Sequence, residues 1–159
     1  LGMTNYVLIM APAIIVAAVI TAFYGKLYDL TGFKPSVMPT LFLLMGGYIL
    51  LFFGRATPVV FIGSLLMMSG YLAGMAVFGA LIRDNTPVGK AGRLQGIRIF
   101  SQVLIPGVVG PAIGKKVLEN AQLLVNNDGT TSFVPNENIF LAAGIALILV
   151  LPFFIRKKK

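Results

Sequence analysis

A chain of 159 residues is long enough for one ordinary domain, but this one is 57% hydrophobic and only 11% charged, with a mean hydropathy of +0.91. Soluble domains average about 45–50% apolar and about 25% charged residues, so a water-soluble fold of this size is excluded. The net charge of +8 does not point to nucleic acid, because the Lys and Arg sit in connections and in the terminal "RKKK" rather than in a basic run interleaved with aromatics.

No Cys and no His occur, which excludes disulfides, Cys/His metal centres, thiol nucleophiles and Ser-His-Asp catalysis. The chain therefore reads as no enzyme, with no catalytic residue, no metal ligand and no cofactor. The opening "LGMTNY" carries no basic n-region of a signal peptide and does not begin at Met, so it reads as a piece of a longer chain.

In chain order, apolar runs at about 3–24, 37–53, 58–82, 95–116 and 139–155 predict five helices. Each falls within the ~17–25 residues that cross a ~30 Å hydrocarbon core at ~1.5 Å per residue. The runs do not alternate, so the strands of a membrane barrel are not expected. The fold class is an all-α membrane protein, one transmembrane domain over 1–159 with the lipid bilayer as its surroundings.

The first connection, "YGKLYDLTGFKP" (24–35), is polar between two greasy runs. It holds Gly25, Asp29, Gly32 and Lys34 in the pattern G-x-x-x-D-x-x-G-x-K. Gly25 would let two helix ends approach, and Gly32 would permit a tight turn at positive φ. Asp29 can accept hydrogen bonds from a helix N-terminus or pair with an Arg, with Arg83 and Arg93 as partners on the same side. Such a clasp can open and close as helices rock; the alternative is an ordinary polar turn. Pro39 and Pro58 are placed near helix starts, where a missing N–H costs little.

The third span carries Gly63, Gly70, Gly74 and Gly79 with Ser64 and Ser69 between them, a pattern for close helix packing in lipid and, less so, for a groove facing solute. Tyr6, Tyr24 and Tyr28 suit the interface belt; Tyr48 and Tyr71 lie deeper and can stack on a sugar ring. Met67, Met68 and Met75 read as packing. In the fourth span Pro106 and Pro111 predict a bend, and Gly107, Gly110, Pro111 and Gly114 form either a hinge or a packing surface. Gln102 is the only long polar side chain in the interior of any span. It either bonds a neighbouring helix or faces solute.

Orientation follows from the basic residues. With the N-terminus outside, Lys26, Lys34, Arg83, Lys90, Arg93, Arg98 and Arg156–Lys159 fall inside, and only Arg55, Lys115 and Lys116 outside. This places the chain as a multi-pass protein of the cell inner (plasma) membrane with a cytoplasmic C-terminus anchored by its basic tail. The five acids, Asp29, Asp84, Glu119, Asp128 and Glu137, all lie in connections. Any ion-coupling carboxylate at membrane depth must then lie outside this chain.

"GKLYDLTGFK" resembles the signature loop of the major facilitator superfamily, which follows the second helix of each six-helix half. Leu30 stands where a basic residue is usual and Phe33 where Arg is common, a degeneracy typical of the C-terminal copy. "RDNTPVGKAGRLQGIRIFSQ" is similar to the loop before the eleventh helix in the glycoside–pentoside–hexuronide (melibiose-carrier) branch, with Asp84, Gly89, Arg93 and Gln102 at matching positions. "GVVGPAIG" (107–114) is similar to a Gly-Pro motif of the fifth helix, which leaves an N-terminal-half assignment open. The long outer loop and basic terminus favour helices eight to twelve of a twelve-helix fold.

The resemblance implies alternating access by two halves, with the N-terminal half as the absent partner, and a small polar solute of the sugar or glycoside kind moved with a cation by symport. The matching position makes Gln102 a solute contact, although Gly107 stands where that branch can carry a Lys. The alternative is a membrane subunit or assembly module with no transport cycle of its own.

Overall fold

The computed structural model describes residues 6–125 and 129–155. The first residues of the first run, the side chain of Tyr6, Asp128 and the basic tail 156–159 lie outside that description. The elements are α1 (Tyr6–Thr31), α2 (Phe33–Phe53), α3 (Thr57–Asp84), α4 (Ala91–Ile99), a π-helical turn (Phe100–Leu104), α5 (Ile105–Val117), strands β1 (Leu123–Val125) and β2 (Thr131–Phe133), and α6 (Asn138–Ile155). Long apolar runs form helices because in lipid a backbone N–H or C=O has no water to bond, and a helix satisfies both within itself. Among the described residues, four stretches are long and apolar enough to cross a membrane: Met10–Thr31, Phe33–Phe53, Thr57–Asp84 and Ala91–Val117. The 18 residues of α6 extend about 27 Å, close to a hydrocarbon core.

These elements divide into two units, with boundaries after Arg83 and before Phe140. In the first, α1, α2, α3 and α6 pack around Tyr28, Val37, Leu41 and Val77. Three rings close one end of this unit. Phe33 and Phe78 lie 5.4 Å apart edge to face, Phe78 and Phe154 5.9 Å, and Phe33 and Phe154 6.2 Å. They come from the start of α2 and the ends of α3 and α6, so α2 runs antiparallel to both.

The connection between α1 and α2 is much shorter than its composition suggests. Helix α1 continues to Thr31 and α2 starts at Phe33, so Gly32 alone makes the turn. Its φ of 79° and ψ of −173° lie in a region essentially open only to glycine. The Gly32 N–H donates to the Tyr28 carbonyl at 2.8 Å, and Ser36 Oγ donates to the Gly32 carbonyl at 2.7 Å. Both backbone groups at the reversal are thus satisfied without solvent. Because α2 begins this early, Pro39 is inside the helix rather than near its start. Nearby, Thr40 Oγ1 donates to the Val37 carbonyl at 2.7 Å. Pro58 is the second residue of α3, where its missing N–H matters little.

The second unit holds α4, the π turn, α5 and a hairpin. The link from α3 to α4 is closed by Lys90 N–H on the Pro87 carbonyl at 3.1 Å, with Gly89 at φ 82° as a type II turn requires at its third residue. The hairpin pairs Leu123 with Phe133, Leu124 with Ser132 and Val125 with Thr131, antiparallel. It lies in the long connection after α5, outside the apolar runs for which barrel strands were not expected, and its cue in the sequence is "NDG" between two short apolar stretches.

Candidate functional site

Asp29 sits in the last turn of α1 and Arg83 in the last turn of α3. Their side chains meet at 3.9 Å, each 69% exposed. Of the two partners expected for Asp29, this is the ion pair observed. At that distance and exposure it is a loose surface contact, contributing about 0–1 kcal/mol. Lys34, in the first turn of α2, is exposed beside it in sequence. Gly25 does not have the expected role. It lies within α1, and among the described residues no heavy atom of another part of the chain comes within 4 Å of where its Cβ would be. The helix runs past it, so Gly25 is not at a junction of two helix ends. Asp84 ends α3, and Arg93 lies exposed in the first turn of α4.

The close packing expected of small residues is concentrated between α2 and α3. A Cβ at Gly70 would lie 2.5 Å from Leu44 N and 2.7 Å from the Thr40 carbonyl oxygen. One at Gly47 would lie 2.5 Å from Met67 N, and one at Gly63 3.0 Å from Leu51 Cγ. Gly74 makes only an ordinary contact, 3.6 Å from Thr40 Oγ1. The seam thus uses Gly47 of α2 as well as the α3 glycines. Among the described residues, the buried Ser69 hydroxyl beside Gly70 has no hydrogen-bond partner.

The seam also fixes the two deeper tyrosines, each of which follows a contact glycine. Tyr48 is half-buried and Tyr71 is 53% exposed. Tyr48 borders a groove of about 190 Å³ between α2 and α6, which includes Met45, Phe52, Phe140, Gly144 and Ile148. Its lining is apolar. A sugar needs several convergent polar groups, so this groove alone does not suit one.

The third site residue, Gln102, lies on the interrupted helix. Pro106 has no N–H, and its ring would collide with the Gln102 carbonyl in a regular α-helix. The backbone widens instead: residues Phe100–Leu104 are π-helical, and the Ile105 N–H donates to the Phe100 carbonyl five residues back. The expected irregularity at Pro106 therefore takes the form of a π turn, and Gln102 is its central residue. Arg98 Nε donates to Gln102 Oε1 at 2.9 Å, so the amide's first partner is on its own helix. Gly107, Gly110 and Gly114 on α5 have nothing within 4 Å of a built Cβ. Among the described residues they make no close helix contact, and with Pro111 they sit on an open helix surface.

Taken together, apolar helices long enough to cross a membrane, closely packed through glycine and carrying polar groups at few points, are compatible with a multi-pass helical membrane protein. No family model, no curated protein and no solved structure matches this chain.

Proposed function

We propose that this protein is part of a secondary transporter that carries a small polar solute by alternating access. The observation that carries the reading is the Ala91–Val117 helix, an apolar spanning stretch broken by a π turn with Arg98 and Gln102 paired at the break. Non-α backbone and polar side chains are disfavoured against lipid and tolerated where they line a water-filled path. Interrupted helices near mid-membrane are where transporters bind their solutes, and π turns recur at functional sites.

The resemblance to the major facilitator superfamily supports the same reading, with Asp29 and Arg83 as an openable clasp and the Gly32 turn beneath it. It suggests a sugar or glycoside, a coupling cation and a cytoplasmic C-terminus.

Uptake of labelled sugars into vesicles from cells making the intact protein, with sodium or proton gradients imposed, tests this. Gradient-driven accumulation should be present, and Gln102→Leu should raise the half-saturating solute concentration at least about 10-fold, or about 1.4 kcal/mol, while protein yield holds. Loss of yield and thermal stability without a change in affinity would reduce Gln102 to a packing residue. No gradient-driven uptake of any solute would favour a membrane subunit without a transport cycle.

A further inference from the structure

We infer that Arg98 is an oxyanion site, taking a carboxylate or phosphate group, and that Gln102 is the residue that aims it. This deepens the transport reading by naming the chemistry of the solute, and it is tested by binding so that the two can fail separately.

Arginine has five N–H donors in a rigid planar fork. Arg98 spends one, from Nε, on Gln102 Oε1 at 2.9 Å. Among the described residues its two terminal amino groups bond nothing else. With Nε held from one side, the outer edge of the fork, Nη1 and Nη2, faces away from Gln102. That edge presents parallel donors at the spacing of two oxygens on one carbon or phosphorus.

The surroundings select for an anion. No Asp or Glu occurs between Asp84 and Glu119, so this helix carries Arg93, Arg98, Lys115 and Lys116 with no acid to answer them. Arg98 is about 10 Å along the helix from Ala91, and the whole stretch is about 40 Å long. An evenly placed span therefore puts its Cα about 5 Å inside a ~30 Å core. A guanidinium at that depth, half-covered and bonded only to an amide, needs a counter-charge.

Two features favour a built site over a side chain that merely reaches for the surface. Gln102 points its oxygen at Arg98, which locks the fork's orientation and leaves the amide N–H groups as further donors. The π turn that carries Gln102 stands one turn before Pro106, so the backbone from which the amide projects is set by the sequence. The same chemistry serves a dissolved carboxylate and a lipid phosphate, and the test separates them.

The protein is placed in nanodiscs of phosphatidylcholine and its unfolding midpoint followed with glucuronate, with inorganic phosphate and with glucose. Glucuronate and glucose form a matched pair differing in the carboxylate. A second set of nanodiscs contains phosphatidylglycerol and no soluble ligand. A rise with glucuronate or phosphate, absent with glucose, assigns the site to a solute. A rise only with phosphatidylglycerol assigns it to a headgroup.

In either case Arg98→Gln should abolish the rise, and Arg98→Lys and Gln102→Leu should weaken binding about 10-fold. Gln102→Glu gives the readout a structural role would not. It keeps an oxygen on Arg98 and should hold or raise the ligand-free midpoint, yet it fills the site with negative charge and should eliminate the anion's effect. No rise with any oxyanion, or a rise that survives Arg98→Gln, overturns the proposal. So does anion binding by Gln102→Glu equal to that of the parent. Intact binding with no uptake would count against transport and leave this site standing.

Discussion

The α2–α3 seam makes Gly70→Ala the sharpest perturbation of the fold. The added methyl would sit 2.5 Å from Leu44 N, 2.7 Å from the Thr40 carbonyl oxygen and 2.9 Å from Leu44 Cα. Ordinary contact begins near 3.4 Å, so the two helices must part by roughly 1 Å at this point. The clashing atoms are backbone, and no rotamer change relieves them. Parting the helices also loosens the contacts of Gly47 with Met67 and of Gly63 with Leu51 along the same seam. Overpacking of this kind destabilises by about 1–3 kcal/mol, whereas alanine's better helix propensity returns about 1 kcal/mol at most.

The clash is expected to win, with a net loss of up to about 2 kcal/mol. For a protein of this size that lowers the unfolding midpoint by up to about 8 °C. Gly110→Ala is the control, since nothing lies within 4 Å of its built Cβ; its midpoint should hold or rise. Thermal unfolding of the purified variants in one detergent measures both. The reasoning is refuted if Gly70→Ala melts with the parent, or if the two variants fall equally.

Asp29→Asn should change stability by less than about 1 kcal/mol, as befits an exposed pair at 3.9 Å, yet slow solute uptake more than it lowers yield; normal uptake would reduce the pair to a polar turn. Cysteine probes can be introduced without background, since the chain has no Cys. Val88→Cys, at a fully exposed turn, should react with an impermeant thiol reagent only from the cytoplasmic side, and Thr131→Cys only from outside; the opposite pattern would invert the proposed orientation. Ser36 is unsuitable as such a probe because it is fully buried. Ser69→Ala removes a buried hydroxyl that has no partner among the described residues and should leave the unfolding midpoint unchanged or raise it; a drop of several degrees would reveal a bond that Ser69 makes in the membrane.

The spans were legible because hydropathy reports where a chain avoids water. Their ends were not, because the helical hydrogen-bond ladder does not stop where charge begins. Lys26 and Asp29 ride in the last turns of α1, whose 26 residues extend about 39 Å, beyond a ~30 Å core. The same effect moved the start of α2 back to Phe33 and put Pro39 in its interior. The turn at Gly32 could be read from its place between two apolar runs.

Gly47 was missed although "GG" stands in the second run, because a glycine shows its contact only once the facing helix is known. Pro106 announced an irregularity, but whether the backbone kinks or widens depends on local geometry that sequence does not display. Strands of three residues are too short for alternation to register, and only the letters "NDG" in the sequence between them hinted at a hairpin.

A reversal made by one residue has consequences for biogenesis. With only Gly32 between them, α1 and α2 cannot enter a bilayer far apart in time, and their hairpin already satisfies its turn through Tyr28 and Ser36. The pair is suited to leave the insertion machinery as one object, with Lys26 and Lys34 together at its closed end. A side chain at position 32 would meet a backbone region closed to it, at about 1–3 kcal/mol. That penalty would fall on the newborn hairpin, before α3 exists to brace it, so assembly yield is the property this glycine guards.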